Sequence, residues 1–384
     1  MHFDLSEEQQ MIRQAVREFA EKEIAPRARH VDETGEFPAE TFRKMGELGL
    51  MGIAVPEQYG GAGADSLSAA IAVEEVARAC GSTALAYAAH MGLGSAPIAM
   101  FGTEEQKWKF LVPAAEGQYM AAFGLTEPHA GSDAGATRTT ARLDGSEWVL
   151  NGSKMWITNA PMAGHIIFTA VTDPEKGKNG ISAIIVPGGT PGLSFGKHEP
   201  KMGLRGSVST AIMLEDVRVP RENLLGGRGR GFTQFLQVLD GGRIAIGAMS
   251  VGLAQAAYEA ASAYAKERTA FGKPIGAYES ISNMVADMVT GLDAARLMVY
   301  QAAWLKDQGR PFAKHAAMAK LFASEAAEKI CRDAIQVLGG YGYSQEFPVE
   351  RIYRDVRLLT IGEGTSEILR VVIGRHVLGG FVGN

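Results

Sequence analysis

Cysteine is almost missing from this sequence, with Cys80 and Cys331 the only two among 384 residues. They lie far apart in helix-like segments, so neither a disulfide framework nor zinc-ligand spacing exists, and buried thiols in a reducing cytoplasm are the reading. The eight histidines show no metal-ligand spacing, and no metal site is expected. A basic stripe is lacking too. Lys and Arg number 38 against 43 Asp and Glu, a net charge of −5 that excludes nucleic acid as the main partner. No apolar run approaches the roughly 18 residues that span a bilayer, so membrane insertion is not expected. The N-terminal stretch Met1 to Gln10 has no charged-then-apolar signal and is too acidic for a transit peptide, which points to a cytoplasmic location.

What is present is the composition of an ordinary globular protein, 46% hydrophobic and 21% charged, long enough for two or three domains. Residues 1–121 read as helices. Ser6 and Gln9 form a capping-box pattern, Pro26 ends or kinks the first helix, and further runs follow near Phe37 to Leu48, Ser66 to Ala79 and Thr103 to Ala114. Residues 122–228 hold short β-branched runs bounded by turns, such as Glu147 to Leu150 before Asn151-Gly152, and predict a mainly antiparallel β domain. Residues 229–384 return to long helices. Ile246, Met249, Leu253, Ala256, Ala260 and Tyr264 trace one apolar face, and Ile281, Met284, Met288, Leu292, Ala295 and Val299 another. With a third helix through Leu321 to Val337 and a fourth from Ser366 to Leu378, a four-helix bundle is expected. The fold class is α+β.

One carboxylate stands out. Glu363 lies between Gly362 and Gly364, after a helix-like run and just before a new helix that Thr365 or Ser366 can cap. Such a kink aims a side chain into a pocket; a helix-capping surface glutamate is the plainer reading. Phe123 to Asp133 reads as a strand running into a Gly/Ser/Asp turn whose N–H groups and hydroxyls suit an anion or a heteroaromatic ring. Trp156 and Thr158 fall on alternate strand positions after an Asn-Gly turn. They suit a flat, polar-edged cofactor, or else a core Trp in a plain hairpin. Gly226 to Gly231 has the look of a dinucleotide loop, yet it lacks the preceding βαβ strand and reads as a connector.

Taken in order, these segments carry a resemblance. Leu125-Thr-Glu-Pro with Gly131-Ser-Asp133, Asn151 to Asn159, Gln336 to Gly342 with Arg351 to Asp355, and Glu363 to Glu367 resemble motifs of the FAD-dependent acyl-CoA dehydrogenases. So do Pro56 to Gly63, Lys201 to Ser207 and Glu267 to Gly272, which brings the resemblance to essentially the whole chain. The similarity is greatest to short-chain and short-branched-chain members.

The resemblance implies a site. Phe123, Leu125, Thr126, Gly131 and Ser132 would contact the flavin ring and its edge, with Trp156 and Thr158 on its other side and Thr365 and Glu367 completing the set. Arg268, Phe271, Gln336, Leu338, Gly339 and Gly340 would reach the FAD of a neighbouring subunit, so a homo-oligomer is implied, usually a dimer of dimers. Glu279 stands where the family has glutamine, a departure at one contact. Ser132, Asp240, Arg243 and Gly364 would bind the acyl-CoA. Glu363 would be the base that removes the α-proton while hydride passes from the β-carbon to FAD, giving the trans-2-enoyl-CoA of fatty-acid β-oxidation. Some members carry the base in the segment that here reads Leu239 to Arg243, but this chain has Gly242 there. Electrons would pass to an electron-transfer flavoprotein. The alternative is an acyl-CoA oxidase or another oxygen-reactive enzyme of the same fold. Leu85 to Ser95, with Tyr87, His90 and Met91, would line the bottom of the acyl pocket or simply pack the core. Gly362 stands where the family often has Tyr or Phe, which implies a wider pocket for a branched or bulkier acyl group.

Overall fold

The helices of the computed structural model, which describes residues 4–379, begin where the sequence supplies caps. Ser6 accepts from the Gln9 N–H and the Gln9 side chain returns to Ser6, opening Glu7–Phe19. Pro26 falls in a short 3-10 turn, Ala25–Arg27, where a residue without an N–H is tolerated. Asp65 caps Ser66–Ala79 by accepting from the Ser68 N–H. The next helical stretch runs through Gly81–Ala88 and a wider π-helical segment, Ala89–Ser95, of the kind that often marks functional sites.

The middle region is one eight-stranded sheet. Its strands are β1 (Met120–Gly124), β2 (Thr140–Asp144), β3 (Glu147–Thr158), β4 (Ala163–Val171), β5 (Ile181–Pro187), β6 (Leu193–Phe195), β7 (Ser209–Pro220) and β8 (Leu224–Leu225). The order is β6-β7-β3-β2-β4-β5-β8, with β1 added on β4. Pairing is antiparallel except where β1 and the single pair Thr140–Val171 run parallel to β4. Alternation of inward residues puts Ile166, Phe168, Ile184, Val186, Ile212 and Leu214 into one core.

Gly231–Glu267, Glu279–Asp307, Ala313–Leu338 and Ser366–Leu378 form the helical bundle, so the architecture is α+β with the sheet between two helical parts of the chain. The buried stripe of the first of these helices departs from the expected one. Ile246, Met249 and Leu253 are buried, but beyond them burial shifts to Ala254, Ala257, Ala261 and Ala265, while Ala256, Ala260 and Tyr264 are half-buried. The small residues let this helix pack closely on the alanine face Ala316, Ala319, Ala323 and Ala327 of Ala313–Leu338.

The expectation about apolar runs needs correction. Gly81–Phe101 and Gly231–Glu267 are long and apolar enough, by length and composition, to cross a membrane. More than half of each apolar stretch is buried inside the protein, where it serves the core that joins the first helices to the bundle. Both cysteines are free and buried, as read from the sequence.

The C-terminal part is tied to the other two by charge. Arg354 donates to both oxygens of Asp32 and to the Met202 carbonyl, and buried Asp355 accepts from the Leu204 N–H. Burial pushes the Asp355 carboxyl up to about 7. The loop Lys201–Ser207 and the chain leading to Glu363 are thereby held in one frame.

Candidate active site

Val349–Val356 and the 3-10 turn Arg357–Thr360 bring the chain to the site. The N–H groups of Ile361 and Gly362 both donate to Leu358 O at 2.8 Å, and the backbone then turns left-handed at Glu363 (φ 52°) and at Gly364 (φ 100°). Gly362 does not take a positive φ, so the strained residue of the pair flanking glycines is the glutamate itself. For a residue with a Cβ that conformation costs roughly 1–2 kcal/mol. Thr365 ends the turn by accepting from the Ile368 N–H at 3.3 Å, starting Ser366–Leu378. From the side, the buried Lys320 Nζ donates to the Gly364 carbonyl at 2.6 Å.

The turn sends the carboxylate onto helix Gly231–Glu267. A Cβ built on Gly242 would lie 2.0 Å from Glu363 Oε2, so the carboxylate fills the room that any side chain at 242 would need. Gly92, on the π-helical segment, faces the same point, its own built Cβ 3.9 Å from the Gly242 Cα. Glu363 as a residue is half-buried, but Oε2 is enclosed and has no hydrogen-bond partner. Burial pushes its carboxyl up to about 7, against the downward pull of Lys320 and then of Arg243. Arg243 is buried, donates to Asp240 Oδ1 at 2.6 Å, and leaves its Nε without a partner. Burial also brings Lys320 down to about 8, with Glu363 pulling it the other way. A raised, unpartnered carboxylate with cations behind it can take a proton from a carbon acid placed against it.

The sheet supplies a second wall. Thr126 O accepts from the Met155 N–H at 2.8 Å, so the chain beyond β1 lies along β3 and sets Leu125 and Thr126 beside Trp156. Beneath them Lys154, fully buried, donates to Glu127 Oε1 at 2.7 Å and to Leu125 O at 3.1 Å. Trp156 has φ 62° and lies where the β3–β7 register slips between Lys154 and Ile157. Trp156 is 55% exposed rather than packed in the core. Thr158 Oγ1 meets Ser209 Oγ at 3.1 Å, and the nearby buried hydroxyls of Ser207 and Thr210 have no partner. An uncovered indole among hydroxyls with unused hydrogen-bonding capacity suits a flat ring with polar edges, which is the donor set FAD needs. Gly131 and Ser132 are exposed, with open space around Gly131. Phe123 stacks on Phe235 of helix Gly231–Glu267 at 6.0 Å, joining this wall to the one that bears Asp240, Gly242 and Arg243.

The remaining candidates gather elsewhere. Arg268 caps the far end of that same helix, and the exposed Phe271 sits on the short hairpin after it. Tyr264, one turn before Arg268, contacts Tyr341 at 6.3 Å, which brings the Gln336–Gly340 segment alongside. Gln336, Gly339 and Gly340 are exposed, whereas the Leu338 side chain is buried in the helical core. Gly242 and Arg268 are 26 positions apart on one helix, so the two groups of residues stand roughly 39 Å apart at 1.5 Å per residue. Thr365 is in the Glu363 turn, and Glu367 is exposed on the first turn of the last helix.

Tyr87 and His90 are core residues. Tyr87 donates to Leu50 O at 2.8 Å, and His90 bridges Met51 O and the Ala121 N–H, both side chains fully buried. Sequence reasoning missed Lys320 and the Glu127–Lys154 pair. Lys320 could have been found, because it interrupts the apolar stripe Ala316, Ala319, Ala323, Ala327 on its helix.

Models of the acyl-CoA dehydrogenase N-terminal, middle and C-terminal domains match residues 6–118, 122–217 and 229–378. A Bacillus subtilis protein described as probable acyl-CoA dehydrogenase YngJ is 59% identical over 98% of this chain and 100% of its own length. The mitochondrial short-chain specific acyl-CoA dehydrogenase of Bos taurus is 49% identical over 98% of this chain and 91% of its own. Among solved structures, butyryl-CoA dehydrogenase from Megasphaera elsdenii superposes with a TM-score of 0.97 at 43% identity, covering 98% of this chain and 100% of that one. A chain from the work on the electron transferring flavoprotein of Acidaminococcus fermentans gives 0.98 at 47%, over 99% and 100%. An acyl-CoA dehydrogenase of Bacillus anthracis complexed with FAD gives 0.93 at 38%, over 98% of this chain and 67% of that one. The chain belongs to the acyl-CoA dehydrogenase family, and its resemblance to the short-chain specific members holds over nearly its full length.

Proposed function

We propose that this chain oxidises a short acyl-CoA thioester to the trans-2-enoyl-CoA with Glu363 as the base, and hands the electrons to an electron-transfer flavoprotein. The family membership makes it an acyl-CoA-dehydrogenating oxidoreductase and a flavoprotein with FAD as cofactor. The observation that carries the finer reading is the enclosed, unpartnered Glu363 carboxylate held against Gly242, at the one place where both family positions for a base converge.

The α-proton of a thioester is weakly acidic, so the base must be strong and the developing charge on the carbonyl oxygen must be met by donors. Burial supplies the first requirement at Glu363. In this reading the Glu363 backbone N–H, turned by the left-handed backbone, meets the thioester oxygen. Bound FAD supplies the two-electron acceptor for the β-hydride. Phe123, Leu125, Thr126, Gly131, Ser132, Trp156, Thr158, Thr365 and Glu367 hold its ring side. Arg268, Phe271, Gln336, Leu338, Gly339 and Gly340 serve the cofactor of a neighbouring copy, Leu338 through its backbone. Asp240 and Arg243 line the CoA channel with Ser132 and Gly364. A chain from electron-transferring flavoprotein work superposes closely on this one, which supports that partner. The free, buried thiols fit a reducing cytoplasm.

Anaerobic bleaching of the flavin by acyl-CoA is the test. Glu363→Gln keeps FAD and ligand and loses bleaching by at least a thousandfold; normal bleaching removes the base assignment. Space beside Gly362 is open, a built Cβ meeting only Leu358 at 3.7 Å, so in the same assay short branched acyl-CoAs bleach the wild type as well as straight ones do. A strict straight-chain preference refutes that part.

A further inference from the structure

We propose that Lys320 is the positioning residue of the base: its ammonium holds the Glu363 turn left-handed through the Gly364 carbonyl and keeps a positive charge behind the carboxylate. The inference rests on Glu363 being the base. Lys320 lies in the middle of Ala313–Leu338, on the face that packs against helix Gly231–Glu267, with no exposed surface. Burying an ammonium costs several kcal/mol unless a partner offsets it. Among the described residues no carboxylate comes within ion-pair reach of its Nζ; its hydrogen bond is the 2.6 Å one to Gly364 O. A buried lysine placed only to stabilise the fold would be paired, as Lys154 is with Glu127 at 2.7 Å.

The bond lands at an informative place. Gly364 follows Glu363, and both carry the positive φ that points the carboxylate at Gly242. Pinning the 364 carbonyl fixes the peptide that closes this turn, and a rigid turn keeps Glu363 at one position and angle. The charges around Glu363 add a second argument. From helix Gly231–Glu267 come Asp240 and Arg243, which neutralise each other at 2.6 Å. Glu279–Asp307 brings Lys306, whose Nζ is 3.6 Å from a built Cβ on Gly241. Ala313–Leu338 brings Lys320 and Glu325, and Ser366–Leu378 brings Glu367, Arg370 and His376, with Glu325 paired to Arg370 at 2.8 Å. Lys320, which has no carboxylate partner of its own, pulls on Glu363 more strongly than Arg243 does.

The experiment is anaerobic stopped-flow flavin reduction by saturating butyryl-CoA across pH 6 to 9.5 in the wild type, Lys320→Met, Lys320→Gln and Glu363→Gln. FAD content and Tm are measured in each. Lys320→Met removes donor and charge, so the midpoint of the rate against pH rises by one unit or more and the plateau falls at least tenfold. Lys320→Gln restores a donor only: its midpoint stays raised while the plateau returns to within about threefold of wild type. The same midpoint is read without turnover from the Glu363 carboxylate band in infrared spectra, taken as wild type minus Glu363→Gln. A wild-type midpoint in either Lys320 variant that retains FAD overturns the proposal, including a variant that is merely slower or less stable. If Lys320→Met does not fold, Lys320→Gln carries the test. Normal bleaching by Glu363→Gln would fell the base reading itself; inert Glu363→Gln with unshifted Lys320 variants fells only the role of Lys320.

Discussion

Glu363 stores free energy in two forms, a left-handed backbone and an ionisable group away from water. The second has a sign that can be measured. Its carboxyl is pushed up to about 7 in the folded chain, from an ordinary value near 4.5. Below the ordinary value it is protonated in both states and costs nothing. As pH climbs from there to 7 the unfolded chain gives up its proton while the folded chain keeps it, so up to roughly 3 kcal/mol of stability is lost, and the loss levels off above 7. Glu363→Gln should therefore melt several degrees above wild type at pH 8.5 and level with it at pH 4.5, by calorimetry without acyl-CoA. Equal melting at both pH values would mean that the carboxylate is not desolvated. Catalysis has the opposite sign: the base works ionised, so flavin reduction speeds up as pH passes the upper end of that interval, where the weakening is nearly complete. Destabilisation and proton affinity have one source here, burial.

At the scale of elements, the cradle depends on how β1 and β3 are fastened. The chain beyond β1 has left the sheet ladder by Leu125, and Lys154 substitutes for lost backbone pairing by holding Leu125 O and Glu127 together. Lys154→Met leaves the buried Glu127 carboxylate with the Arg138 and Thr139 N–H donors but without its lysine, a loss of about 3 kcal/mol. A fall in the urea midpoint together with released FAD is the expected result, partly repaired by adding Glu127→Leu; unchanged FAD affinity in a destabilised Lys154→Met would separate the pair from the cradle. Local elements of this kind were legible in the sequence where the signal is local. Ser6, Asp65 and Thr103 announce helix starts by chemistry within three residues, and the glycines around Glu363 announce a kink. What decides Lys320 or Lys154 is a partner 44 or 27 positions away, which no window contains. The positive φ at Trp156 was equally hidden, because it comes from the β3–β7 register slip and not from its own neighbours.

At the scale of the molecule, the helix Gly231–Glu267 separates the two groups of candidate residues by roughly 39 Å. If Arg268 and Gln336 complete a neighbour's site, defects at the two ends of the helix should complement each other. Homo-oligomers of Glu363→Gln alone or Arg268→Ala alone should both be nearly inactive. Refolding them together should create one site with both residues intact in each mixed pair, and bleaching should recover to about a quarter of wild type for random pairing. No recovery in mixtures whose mixed assembly is verified by mass spectrometry would place both groups in one chain's site. The domain order and the bundle were readable from periodicity; the separation was not, since it requires knowing that 37 residues form one unbroken helix despite Gly241, Gly242, Gly247 and Gly252.

The close fit at Gly242 also bears on the history of such sites. A carboxylate at 363 and a side chain at 242 compete for one space, since a built Cβ lies 2.0 Å from Oε2. The atom in the way is the end of a flexible side chain, so a new side chain at 242 would turn the 363 carboxylate out of its place rather than break the fold. A lineage that gained a base at 242 would therefore disarm the one at 363 in the same step. The glycine is what keeps the present arrangement in force.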